Sequence, residues 1–394
     1  MMEIQVSWGI DDDVDTLVDS VVSALSSVAT ASMAVAYFNC RHDAAHIRTV
    51  LSERLPCPFM LASSSNGVLA STPQGATARA DLAIMLFHDK TGNYGCASLP
   101  VSEGTARLDA QLALQHALTE SGAQYEAPSL IYCIFPSGKE ETLLKGLADE
   151  VGDKIPVFGG TMADNEVAGA WYTGAHQGGS DHHITVATMF PGTPIGVSYS
   201  SGYRPGPHVC TVTKATGRII ETLDNEPAAL VYNRLTGGQI ETAMSGGSIL
   251  AMTTLHPFGR KISHSGGIAE YLLSHPDTVT SEQGLSVFSD IEQGAELVVM
   301  EGSEDSLIAR AEKVIENAIS LLPQDATPAG VLLVYCAGCM FTIESQLTRM
   351  LDTLSTRFTH IPILGVYTFG EQGHFLDGYN RHGNLMISAV AFSQ

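Results

Sequence analysis

Two cysteines three residues apart, in the run Cys336-Ala337-Gly338-Cys339, form the sharpest chemical pattern in the chain. The pair follows an apolar stretch and precedes an amphipathic one, so it sits where a strand passes into a helix. Helix-terminal N–H groups can acidify the first thiol there, as thiol redox chemistry or a metal-dependent enzyme requires. The plainer reading is one core thiol and one loop thiol. Histidines offer a second chemistry. His42 and His46 are spaced i, i+4, which on a helix puts both imidazoles on one face, for a metal or for solvent. In Asp181-His182-His183 the two histidines open a strand, so they point to opposite faces and cannot converge on one ion. His256, His264 and His275 fall near Phe258, Tyr271, Leu272 and Leu273. A neutral imidazole beside apolar side chains suits an axial haem ligand, and equally an ordinary hydrogen-bonded histidine. No Cys-x-x-Cys-His occurs, so covalent haem attachment is not expected.

A third set is small and polar: Ser63, Ser64, Ser65 and Asn66; Thr161, Asp164 and Asn165; Tyr367, Thr368 and Glu371. Each group ends an apolar run, and together they can hydrogen-bond a small molecule with several polar groups. Catalytic signatures are missing: there is no GxSxG elbow, P-loop, HExxH, or GxGxxG opening a helix. Binding is therefore expected over catalysis.

These groups are positioned by a pattern written three times. SMAVAYFNC, a helix around His46 to Leu55, and PFMLASSSNG make the first copy. SLIYCIFPSG, EETLLKGLADEV and IPVFGGTMADN make the second, and VLLVYCAGC, a helix over Ile343 to Leu354 and IPILGVYTFGEQG the third. Upstream of each lies a strand and helix, beginning IQVSWG, GCASLPV and AELVVMEG; downstream come the strands DLAIMLF, ITVATMF and LMISAVAF. Apolar runs between amphipathic helices are the mark of strands covered on both faces. The expectation is an α/β fold of three β-α-β-α-β-β units, at roughly 4–95, 95–200 and 296–392, in mixed, largely parallel sheets. A β-rich insertion fills 201–295 between units two and three. Cys40, Cys133 and Cys336 are expected at equivalent strand ends. With parallel main strands, the polar turns share one carboxyl edge, where α/β sheets hold ligands.

Composition bounds the function. Forty-two Asp and Glu against twenty Lys and Arg give a net charge of −22, which repels phosphate backbones and anionic lipid. Neither nucleic acid nor a membrane is an expected partner. Seven cysteines, an odd number, fit reduced thiols better than a disulfide framework, and the uncharged run Ser20–Phe38 follows acidic residues where a signal peptide needs basic ones. A cytoplasmic protein is expected.

At VFGGTMADN, GRIIETLDNEPAALVYNRL and ILGVYTFGEQG the chain resembles the FIST family of sensory proteins. The resemblance covers nearly the whole length. It implies an N-terminal module in residues 1–222, with its family match from about 30, and a C-terminal module in residues 223–394, its match ending near 380. Where many members have Cys-x-Gly-Arg, this chain has Cys336-Ala337-Gly338-Cys339. The resemblance further implies small-ligand sensing in bacterial signal transduction, amino acids being among the proposed ligands. Stand-alone members include nitric-oxide-sensing proteins with haem b that modulate histidine kinases and, through them, cyclic-di-GMP output. Haem, a small-molecule ligand, a histidine kinase and a second copy of the chain are thus the expected cofactor and partners. His256 and His275 are the nearest haem-ligand candidates by their apolar surroundings, with His264 beside them.

Overall fold

The structure is a computed structural model that describes residues 1–265 and 268–394, with side chains described outside 263–268. Unit one alternates the strands Met2–Gly9, Met33–Asn39, Phe59–Ser64 and Leu82–Asp89 with the helices Val14–Ser23 and Ala44–Arg54. Asp13 and Asp43 start those helices, each accepting from the N–H three residues on, which satisfies an otherwise orphaned donor. Unit two repeats the plan with the strands Asn93–Pro100, Leu130–Phe135, Val157–Thr161 and His183–Phe190 and the helices Ala106–Ser121 and Glu140–Val151. Unit three has the strands Ile195–Ser201, Pro328–Cys336, Ile363–Thr368 and Met386–Ser393 with the helices Glu304–Ser320, Ala337–Thr342 and Leu347–Arg357.

The α/β class and the three units are as the sequence indicates; the opening of unit three is not. Its first strand is Ile195–Ser201, which pairs along Met386–Ser393. The stretch AELVVMEG forms the strand Glu296–Glu301, which belongs to the insert and pairs with Arg204–Thr216 and Phe258–Ser265. The insert therefore interrupts unit three after its first strand. It leaves at Ser201–Arg204 and returns at Glu301–Ser303, so two adjacent chain segments form its neck. Its own antiparallel sheet and the helix Ala228–Leu235 enclose a separate core of Val212, Leu223, Tyr232, Phe258 and Leu297.

Within each unit the strand order is first, last, second, third. The sheets are mixed, with parallel pairing confined to the second and third strands: Val35 opposite Met60, Tyr132 opposite Phe158, and Leu332 opposite Leu364. That register also corrects the cysteines. Cys133 lies opposite Gly159 and Cys336 opposite Thr368, three residues further along, while Cys40 lies just past its strand.

Each unit also lends a hairpin to another. Val68–Ala80 of unit one extends the sheet of unit three, Glu371–Gly383 of unit three extends that of unit two, and Thr173–Ser180 of unit two extends that of unit one. The exchange closes a ring and covers the edge of every third strand, which would otherwise present unpaired backbone. The inner faces of all three sheets meet in one core, with Tyr37, Phe87, Tyr132, Phe158, Val334 and Phe392. The helices cover the outer faces.

Candidate functional site

The hairpin exchange brings the ends of the third strands to one place. Ser63, Thr161 and Tyr367 occupy equivalent positions, opposite Phe38, Phe135 and Tyr335. Ser63 Oγ donates to the Ala163 carbonyl at 2.9 Å and accepts from Tyr172 N. Ser64 Oγ donates to the Gly67 carbonyl and accepts from Tyr367 N at 3.0 Å, while Ser65 N donates to the Tyr367 carbonyl. Thr161 N donates to the Gly370 carbonyl, and Phe369 N to that of Thr161. Asp164 is buried and accepts from the N–H groups of Glu166, Ala168 and Ala170, folding its loop around the carboxylate. Of the ten residues nominated from the sequence, Asn66 and Asn165 lie nearest solvent. Asn66 N donates to Asn165 Oδ1, and Asn66 Nδ2 reaches Glu344 Oε1 at 3.4 Å, so all three units meet at that surface. The others are buried, and Ser63, Ser64, Ser65 and Thr161 hydrogen-bond one unit to the next.

Gly159 and Gly160 explain how the units approach so closely. A Cβ on Gly159 would lie 1.8 Å from the Cys133 carbonyl oxygen, and one on Gly160 2.4 Å from Thr368 Cγ2. The small residues serve contact between strands.

From this junction a polar chain runs into the insert. Glu371 is buried; its Oε1 accepts from Thr368 Oγ1 and its Oε2 from Met386 N, both at 2.9 Å. Burial, with the Cys336 thiol beside it, pushes its carboxyl well above the usual glutamate range. The neighbouring Gln372 donates to Thr161 Oγ1 and contacts His382 Nδ1 at 3.0 Å, and His382 Nε2 meets the Phe288 carbonyl of the insert. Thr161 Oγ1 donates to Glu140 Oε1. Glu140, in the first turn of its helix, takes Arg218 from the insert at 2.6 Å, and the same guanidinium bridges Glu141 and Asp290. Burial works to raise the Glu140 carboxyl, but His382 and Arg218 outweigh it and hold it below the usual range. Arg218 stands in one of the motifs noted in the sequence. Gln372 stands in another, while the Arg218 partner Glu140 and the bridging His382 carry no local signal of this contact.

Sequence comparison matches residues 32–226 to the FIST N domain and residues 228–374 to the FIST C domain. The chain belongs to the FIST family. Its domains are small-ligand sensors in signal transduction. The junction between the two matches falls within the insert, next to the helix Ala228–Leu235. A search of curated proteins finds no match. Two solved cyanuric acid hydrolases, one from A. caulinodans, align over 100% of both chains. They do so at 8% and 10% identity with TM-scores of 0.34 and 0.36, too slight a likeness to bear on function.

The haem-binding members of the FIST family raise the question of whether this chain's histidines fit that group. His275 is 3% exposed, donates from Nε2 to the Leu250 carbonyl at 3.1 Å, and lies against Phe288 and Gly338. Burial pushes its imidazole down to about 4, so it is neutral, as iron ligation requires. Its enclosure leaves no approach for a macrocycle without displacing those neighbours. His256 lines a cleft of 430 Å³ whose other walls include Arg204, Glu301, Ser303 and Arg310, charged and polar where a porphyrin face needs apolar contact. The side chain of His264 lies outside the described residues. Neither His256 nor His275 fits haem.

The remaining candidates separate. All seven cysteines are free thiols; Cys336 and Cys339 are both buried. Burial drives the Cys336 thiol well above its ordinary value, outweighing the nearby N–H groups of Gly338 and Cys339, so the expected acidification is reversed. His42 precedes the helix and faces Asp81, while His46 faces Asp15, so the two do not share a ligand position. Among the described residues, no three His, Cys, Asp or Glu side chains gather as a metal would require.

Proposed function

We propose that this FIST protein is a haem-free sensor of an amino acid or similar small polar metabolite. It works in the cytoplasm without catalysis, and passes its state to a signalling partner such as a histidine kinase. The observation that carries this reading is the way the insert is held: covalently to unit three through a two-segment neck, and non-covalently to unit two through Arg218. Signalling needs two arrangements with different affinity for the ligand. The insert packs on unit three through Leu272, Leu273 and Met300 and is held to unit two by the Arg218 ion-pair cluster; the docked cluster supplies the first arrangement, and its release the second. Thr161, at the meeting of the third strands, is hydrogen-bonded to Glu140 and Gln372, so a change there reaches the latch. No helix among the described residues is long and apolar enough to cross a membrane.

The test is a thermal-shift screen of amino acids and small organic acids on the purified chain. A compound at a hundredfold its dissociation constant adds about 2.7 kcal/mol of stability. The expected result is at least one compound that stabilises the wild type and perturbs the Arg218 cluster. Protein produced with haem supply is expected to show no Soret band after gel filtration; a retained band at full occupancy would overturn the haem-free reading.

A further inference from the structure

The neck of the insert encloses the cleft in which His256 lies, and its lining is unusual for so acidic a chain. Two of its walls are the neck segments themselves, with Tyr203, Arg204 and Glu301; a third is the helix Glu304–Ser320, which presents Ser306 and Arg310. Most groups here already have partners. Glu301 is bridged by Arg204 at 2.9 Å, the Tyr203 hydroxyl donates to the Thr254 carbonyl, and Ser303 and Ser306 cap the helix reciprocally. Two do not. Arg310 is half-buried, and among the described residues it has no carboxylate partner; its sole hydrogen bond is to Ser200 Oγ at 3.5 Å. The acids on the next turns are taken by others, Glu316 by Lys313 and Arg357, and Glu312 by Arg357. His256 also lines the cleft, and among the described residues its buried Nδ1 has no partner.

We propose that this cleft binds the oxyanion, carboxylate or phosphate, of a small metabolite, held by Arg310 and His256 between the insert and unit three. A guanidinium fork matches the two oxygens of either group, and a partly desolvated cation gains more from an anion than an exposed one does. Burial alone lowers the pKa of Arg310, with no acid to offset it, which is the state an incoming anion relieves. A volume of 430 Å³ suits a small metabolite. An anion here touches both sides of the neck, so the site deepens the sensor reading by naming where its ligand sits. The binding itself does not depend on that reading.

The experiment is calorimetric titration of the full chain at low ionic strength with inorganic phosphate and, separately, with succinate. The expected result is saturable one-to-one binding of at least one of them. The preferred anion tells phosphate from carboxylate. Arg310→Gln and His256→Gln are each expected to weaken it by at least about tenfold, and Arg310→Lys by less. Absence of saturable binding by either anion, or binding that both Gln variants leave unchanged, overturns the site. If anion binding fails while a screened metabolite still perturbs the Arg218 cluster, the cleft assignment falls and the sensor stands. If the anion binds with the cluster indifferent to every ligand, the site stands and the sensor mechanism falls.

Discussion

The Arg218 guanidinium lies 2.6 Å from the buried carboxylate of Glu140, joining the insert to unit two across 78 residues of sequence. Replacing Arg218 with Met leaves that carboxylate buried with only His382 and the donors Thr161 and Gly138 to offset it, a loss of up to about 3–5 kcal/mol. Denaturant titration should show this loss, and Arg218→Met with Glu140→Gln should recover part of it. The folded-state pKa of Glu140 is depressed. Its stabilisation is therefore present above the ordinary glutamate range and lost as pH falls through the folded value. An unchanged midpoint in Arg218→Met would mean the insert is not held there.

His275 supplies a second pH dependence, at higher pH. Its folded pKa of about 4 lies below the unfolded value of 6.5, so the unfolded chain binds the extra proton between the two. Stability is complete above pH 6.5 and declines as pH falls toward 4, by about 3 kcal/mol in all. Stability curves at pH 7, 5.5 and 4 for wild type and His275→Gln should converge on acidification. Parallel curves would show that the imidazole is not buried neutral.

Glu371 behaves in the opposite sense. Its raised pKa makes ionisation unfavourable in the folded protein, so it opposes folding increasingly as pH rises above the ordinary glutamate range. Glu371→Gln, with its oxygen toward Met386 N and its amide toward Thr368 Oγ1, should melt at the same or higher temperature than wild type near pH 7. Glu371→Leu strands the Met386 N–H and should cost about 1–3 kcal/mol. A Gln variant as damaged as the Leu variant would indicate a working carboxylate.

Thiol labelling tests the fate of the sharpest sequence motif. Cys40 is the one cysteine with partial exposure, while Cys336 and Cys339 are enclosed. Native protein should be alkylated first at Cys40, with Cys336 and Cys339 reacting only after unfolding. Fast labelling of Cys336 would restore the redox reading.

The threefold repeat was legible because each copy writes the same apolar strand, amphipathic helix and Pro-led second strand. The hairpins were not. Thr173–Ala175 and Gly178–Ser180 are three residues each, and their partner strand lies in another unit. The opening of unit three was misplaced because AELVVMEG has a buried strand's apolar run and sits directly before a helix. Ile195–Ser201 is separated from that helix by the whole insert. Location of the polar turns at one end was also readable. Their burial was not, since whether Ser64 or Thr161 meets water depends on hairpins arriving from elsewhere. Arg218 could be noticed in a motif, but its partner Glu140 could be found only in three dimensions.

The central claim is that ligand occupancy and docking of the insert are one equilibrium. Hydrogen–deuterium exchange of the full chain, with and without the compound giving the largest thermal shift, tests it most directly. Exchange should change together at the start of the Glu140–Val151 helix and around Arg218–Leu223, and the ligand effect at both should vanish in Arg218→Met. A ligand that binds tightly while both segments exchange as before would contradict the account.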